Sequence, residues 1–128
     1  MKTEVYETRH VNYRIEDGIL IGVFVPGIYI TFDIVSEMVE QRIKFCNGRT
    51  LPALIDIRGI VSIDTPSRKY LTGERAKVNM VAGAIVVGSL VSRMAGNIFI
   101  AVDKPSLPTK LFNDPDKAIK WLAQFKKK

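Results

Sequence analysis

The chain reads as one α/β domain built on a mostly parallel central sheet. Three observations lead there. Buried-strand segments alternate with amphipathic helical ones. The segment 19–25 is apolar on both faces, as a strand covered by helices on each side must be. The first two strands are joined by a turn tight enough to make them antiparallel. With 128 residues, 47% hydrophobic and 25% charged, residues 1–128 suffice for a single domain with an ordinary packed core.

The elements follow in order. Val11, Tyr13 and Ile15 alternate with Asn12, Arg14 and Glu16, the period of a half-buried strand. Asp17-Gly18 gives a two-residue turn into Ile19-Leu20-Ile21-Gly22-Val23-Phe24-Val25, and Pro26-Gly27 ends that strand. Thr31 is placed to cap a helix from about Phe32 to Cys46. Ile34, Val35, Met38, Val39 and Ile43 fall at helical spacing, and Asn47-Gly48 forms a left-handed C-cap. Residues 52–57 read as a short buried strand. After an irregular stretch from Gly59, Asp64-Thr65-Pro66-Ser67 opens a second helix that Gly73 interrupts. Residues 81–87 make another buried strand. Gly88-Ser89 leads into a third helix whose expected inner face is Val91, Met94, Ala95 and Ile98. Pro105 and Pro108 fix a loop before a last strand, Thr109-Lys110-Leu111-Phe112. Asp114-Pro115-Asp116 then starts a final helix lined by Ala118, Ile119, Leu122 and Phe125. The order is β-β-α-β-α-β-α-β-α, with right-handed crossovers and an antiparallel N-terminal strand.

Charge narrows the partners. The formal net charge is +6, but removing Lys126, Lys127 and Lys128 leaves +3, so half the excess is a basic tail expected to fray. No stretch interleaves aromatics with Arg and Lys as a stacking platform for nucleic acid would. No apolar run reaches the roughly 18 residues of a transmembrane helix. The polar start Met1-Lys2-Thr3-Glu4 and the single Cys46 fit the reducing cytoplasm.

Catalysis finds no constellation. His10 is the only histidine and lies among Arg9, Glu7 and Asn12, where a solvated side chain is expected. Cys46 ends a helix, where the dipole disfavours a thiolate, and is expected to pack. One Cys and one remote His cannot make a zinc site. Asp56 and Asp64 flank a loop and could hold a cation, but local backbone bonding and helix capping explain them better. Gly88-Ser89, beside Ser92 and Arg93, could bind an anion or a partner at a helix start, although the spacing is neither a P-loop nor a dinucleotide fingerprint. Neither a cofactor nor a metal is expected.

The element order, together with Ile55-Asp56-Ile57-Arg58-Gly59-Ile60-Val61-Ser62-Ile63-Asp64-Thr65-Pro66-Ser67, resembles the STAS domain, the SpoIIAA-like fold of the anti-sigma-factor antagonists. That segment is similar to the family's strand, loop and helix start, roughly L-D-L-S-G-V-x-x-M-D-S-S-G. The closing stretch from Pro108 through Trp121-Leu122 resembles the uncharacterised STAS-like branch. The resemblance implies a non-catalytic regulatory module that binds another protein, or a second copy of itself. Its binding residues would be Arg58, Asp64, Thr65, Ser67, Arg68 and Tyr70, with Ser89, Ser92 and Arg93 in the neighbouring loop. The family's phosphorylated Ser aligns with Pro66, which has no hydroxyl, so a surface independent of phosphorylation is expected. An alternative follows from the kinship of the fold with CRAL-TRIO domains, namely a small carrier of a lipid or other apolar molecule.

Overall fold

Asp17 and Gly18 both hold positive φ, 52° and 76°, so the chain reverses in two residues. In the computed structural model, which describes residues 3–126, this turn pairs β2 (Val11–Glu16) antiparallel with β3 (Ile19–Phe24). A further strand, β1 (Glu4–Glu7), adds antiparallel to β2. It escaped the sequence reading because Glu4, Val5 and Glu7 are exposed, leaving no apolar alternation.

After β3 the sheet grows in parallel: β5 (Leu51–Asp56), β7 (Met80–Val86) and β8 (Thr109–Phe112) give the order β1-β2-β3-β5-β7-β8. Short strands β4 (Tyr29–Ile30) and β6 (Ser62–Ile63) pair separately. Around the sheet lie α1 (Phe32–Cys46), α2 (Thr65–Leu71), α3 (Glu74–Lys77), α4 (Leu90–Ile98) and α5 (Pro115–Leu122). The fold is therefore α/β, with a mainly parallel sheet and antiparallel N-terminal strands.

Both sheet faces are covered, which is why β3 is apolar on both sides. Leu20 and Phe24 pack with Val35, Val39 and Cys46 of α1, while Ile19 and Ile21 join Leu54, Ala84 and Val86 under Ala118 and Leu122 of α5. Helix α1 ends where Asn47 turns left-handed (φ 50°). Thr31 occupies its N-cap position, but its side chain makes no capping bond.

Helix α4 corrects an expectation. Ser92 and Gly96 are its buried residues, whereas Val91 and Met94 are exposed. Close approach explains the inversion: a β-carbon on Gly96 would stand 2.9 Å from Leu111 and 3.2 Å from Val87. Beyond α4, a π-helical turn runs over Phe99–Asp103, closed by Lys104 N–H donating to the Phe99 carbonyl at 3.0 Å. Of the basic tail, Lys126 reaches Asp17 at 3.3 Å, and Lys127 and Lys128 lie outside the described residues.

Candidate functional site

Two loops meet at the carboxyl ends of β5 and β7, the place where open α/β sheets present ligands. Arg58 joins them. Its guanidinium grips Asp56 through Nε (3.1 Å to each carboxylate oxygen) and a second nitrogen at 2.7 Å. Its stem lies against Gly88, where an added β-carbon would be 3.1 Å from Cγ. Gly59 is required by another close approach, since a β-carbon there would stand 2.9 Å from the Pro26 backbone.

Asp64, not Thr65, caps α2. Its carboxylate accepts from the Ser67 N–H at 2.9 Å and from the Ser67 hydroxyl. Those two bonds hold the Asp64 carboxyl below its ordinary value. Thr65 is exposed and its hydroxyl accepts from Arg68 at 3.3 Å. Ser67 is fully buried, so the expectation that it faces a partner is corrected. Arg68 reaches across to Asp103 of the π turn at 3.0 Å, with side chains 14% and 4% exposed. Tyr70 packs edge-on against the exposed Phe32, ring centres 5.4 Å apart.

The second loop is likewise self-satisfied. Ser89 and Ser92 form a reciprocal capping box, and the Gly88 and Ser89 N–H groups both donate to the Ser92 hydroxyl at 2.9 and 3.0 Å. Arg93 donates to the Gly88 carbonyl at 2.9 Å. Ser92 is buried, so it too does not face a partner. What the loop presents is apolar: Leu90, Val91 and Met94 are 74%, 42% and 55% exposed. Positions 90, 91 and 94 span about 100° of a helix, a single stripe.

His10 lies just before β2, half-buried, with Nδ1 3.8 Å from Glu37. Cys46 is free and buried. Among the described residues, no three His, Cys, Asp or Glu side chains gather as metal ligands, and no helix is long and apolar enough to cross a membrane.

Sequence reasoning missed one feature. Between the sheet and α1, α3 and α4 lies a cavity of about 140 Å³. Its walls are mostly apolar, with Val11, Phe24, Val39 and Ile55 among them, but Tyr13, Arg42, Arg68 and Lys77 also line it. Its lining extends to exposed Ser106. No signal in the sequence marks such a space, because it arises from helices held apart by elements distant in the chain.

A family model described as a domain of unknown function (DUF7793) matches residues 13–126. Among solved structures, the crystal structure of an uncharacterized protein of the DUF3478 family from Shewanella loihica PV-4, with a SpoIIAA-like fold, matches at TM-score 0.59 and 17% identity. That match covers 94% of this chain and 92% of the other. At that identity the likeness establishes the fold. No curated protein matches the chain.

Proposed function

Since the chain belongs to the DUF7793 family of domains of unknown function and has a SpoIIAA-like fold, we propose that it is a non-catalytic regulatory module of the cytoplasm. It binds another protein at the carboxyl end of its parallel strands.

The observation that carries this reading is the bare stripe of Leu90, Val91 and Met94 beside Arg58 and Arg93. Contiguous exposed apolar side chains with a charged rim are the anatomy of a protein-binding patch. Asp64, Thr65, Arg68 and Tyr70 extend the surface along α2, and Ser89 begins it on α4. Ser67 and Ser92 shape it from within. The loops satisfy their own polar groups, so binding requires no phosphate to complete them.

The test is co-purification from the source cell with the double variant Leu90→Asp/Met94→Asp, alongside light scattering for self-association. Loss of the co-purifying protein, or of a dimer, at an unchanged melting temperature supports the surface. Unchanged capture sinks it.

The cavity favours a second reading, a carrier of a small apolar molecule. Its volume lies below the roughly 300–1,000 Å³ of pockets that enclose drug-sized ligands. A whole lipid does not fit; something near the size of benzene, which occupies a cavity of about 150 Å³ elsewhere, does.

A further inference from the structure

The cavity wall contains a buried cation that, among the described residues, makes no ion pair. Arg42, on α1, is 4% exposed. Two of its nitrogens each donate at 2.8 Å, to the carbonyls of Val78 and Ala76 at the end of α3. Both acceptors are neutral, and they take two of the five N–H groups a guanidinium carries. Among the described residues, no carboxylate forms an ion pair with it. A buried cation without a counter-charge is held at a considerable desolvation penalty.

The other ionisable groups near it do not supply an anion in contact: the Glu40 carboxylate acts on it from a distance and is bound to Arg75, itself a cation. Burial pushes the Tyr13 phenol and the Cys46 thiol up, so both are neutral near pH 7. Burial also pulls the Arg42 guanidinium down from its ordinary value, the direction that an unneutralised buried cation must show. Tyr13 is itself under-used: its hydroxyl meets the Met38 carbonyl at 3.4 Å, well beyond the roughly 2.7–2.8 Å of a good O–H···O bond. Arg42 and Tyr13 thus offer an unpaired cation and a loosely engaged hydroxyl to one mostly apolar space.

We propose that this cavity binds a compact monocarboxylate, its apolar body against the sheet and its carboxylate on Arg42, with Tyr13 as a second donor. The inference rests on the carrier reading and specifies its ligand. Of the three cations that line the space, Arg68 and Lys77 are already paired with Asp103 and Glu74, so Arg42 alone calls for one unit of negative charge, and a monoanion fits where a phosphate dianion would overbalance the site. Planar, forked guanidinium donors match a carboxylate's two oxygens. The small volume sets the body at about one ring or a short alkyl chain.

The experiment titrates the full chain with benzoate and with its neutral analogue benzyl alcohol, following methyl resonances of Val11, Ile55 and Ile85 by NMR. Benzoate binding at least tenfold tighter than benzyl alcohol, with shifts at those methyls, is the expected result. Arg42→Met should remove that preference while leaving benzyl alcohol binding intact. If that variant does not fold, Arg42→Lys, which keeps the charge but loses the fork, should still weaken benzoate selectively. Equal binding of the two probes, or binding of the alcohol alone, overturns the role of Arg42 and leaves the carrier reading standing. Binding of neither, or shifts confined to residues outside the cavity, overturns both.

Discussion

Tyr13 stands directly across from Gly22 in the β2–β3 ladder, and its ring occupies the space a side chain there would take. A β-carbon on Gly22 would lie 3.0 Å from Tyr13 Cε1 and 3.2 Å from Cδ1. The ring is 2% exposed and packs near Tyr6 and Phe45, so yielding toward the cavity it lines would disturb those ring contacts. Gly22→Ala should therefore destabilise by about 1–3 kcal/mol through overpacking, even though glycine is ordinarily a weak strand residue. Urea unfolding measures it, and a neutral or stabilising result would mean that the ring moves freely.

The central strands tolerate no charge. Ile21 is 3% exposed and Val86 is fully buried. Ile21→Asp or Val86→Asp should abolish soluble folding, because an unpaired buried charge costs several kcal/mol against a total stability of about 5–15. Expression and thermal melting check this; a cooperative melt for either variant contradicts the packing described.

At the start of α2, Asp64→Ala should lower the urea midpoint while Thr65→Ala leaves it nearly unchanged, since the cap belongs to Asp64. The carboxyl's depressed pKa fixes the sign with pH. The contribution is fully present above the unfolded carboxylate value, near 3.9, and is lost as pH falls through the lower folded value. Carbon-detected NMR titration of Asp64 should show the depression in the wild type and its relaxation in Ser67→Ala. Ser67→Asp, which forces a second carboxylate against Asp64 at a buried position, should destabilise rather than mimic a regulatory phosphate.

The Arg68–Asp103 pair ties α2 to the π turn in nearly dry surroundings. Asp103→Ala strands Arg68 and should cost about 3–5 kcal/mol. Arg75→Ala breaks a pair with Glu40 in which both side chains are half-exposed, and should shift the melting midpoint far less. Comparable losses in the two variants would contradict this difference in environment.

Local chemistry explains which elements could be read in advance. Asp17-Gly18, Asn47-Gly48 and Asp64-Thr65-Pro66 impose backbone geometry through a few adjacent residues, so the hairpin, the end of α1 and the start of α2 lie where the sequence predicts. Misreadings arise where tertiary contact decides. In α4, Gly96 faces inward because the helix comes so close to Leu111 and Val87 that a β-carbon there does not fit. Apolarity alone points instead to Val91 and Met94, which form part of the proposed binding stripe. Of the residues that the family resemblance marks for binding, Arg58 and Arg93 both lie against Gly88. That Ser67 and Ser92 turn inward follows from capping bonds that residue types do not distinguish from free hydroxyls.

The cavity also has a mechanical consequence. Void space vanishes when a chain unfolds into water, so hydrostatic compression favours the unfolded form in proportion to it. A dry gap of 140 Å³ per molecule would correspond to about 84 mL/mol of void, and unfolding volumes scale with such void without equalling it. This domain should accordingly be soft to pressure for its size. A molecule seated between Arg42 and the sheet would stiffen it, in a high-pressure spectrum, without altering a single covalent bond.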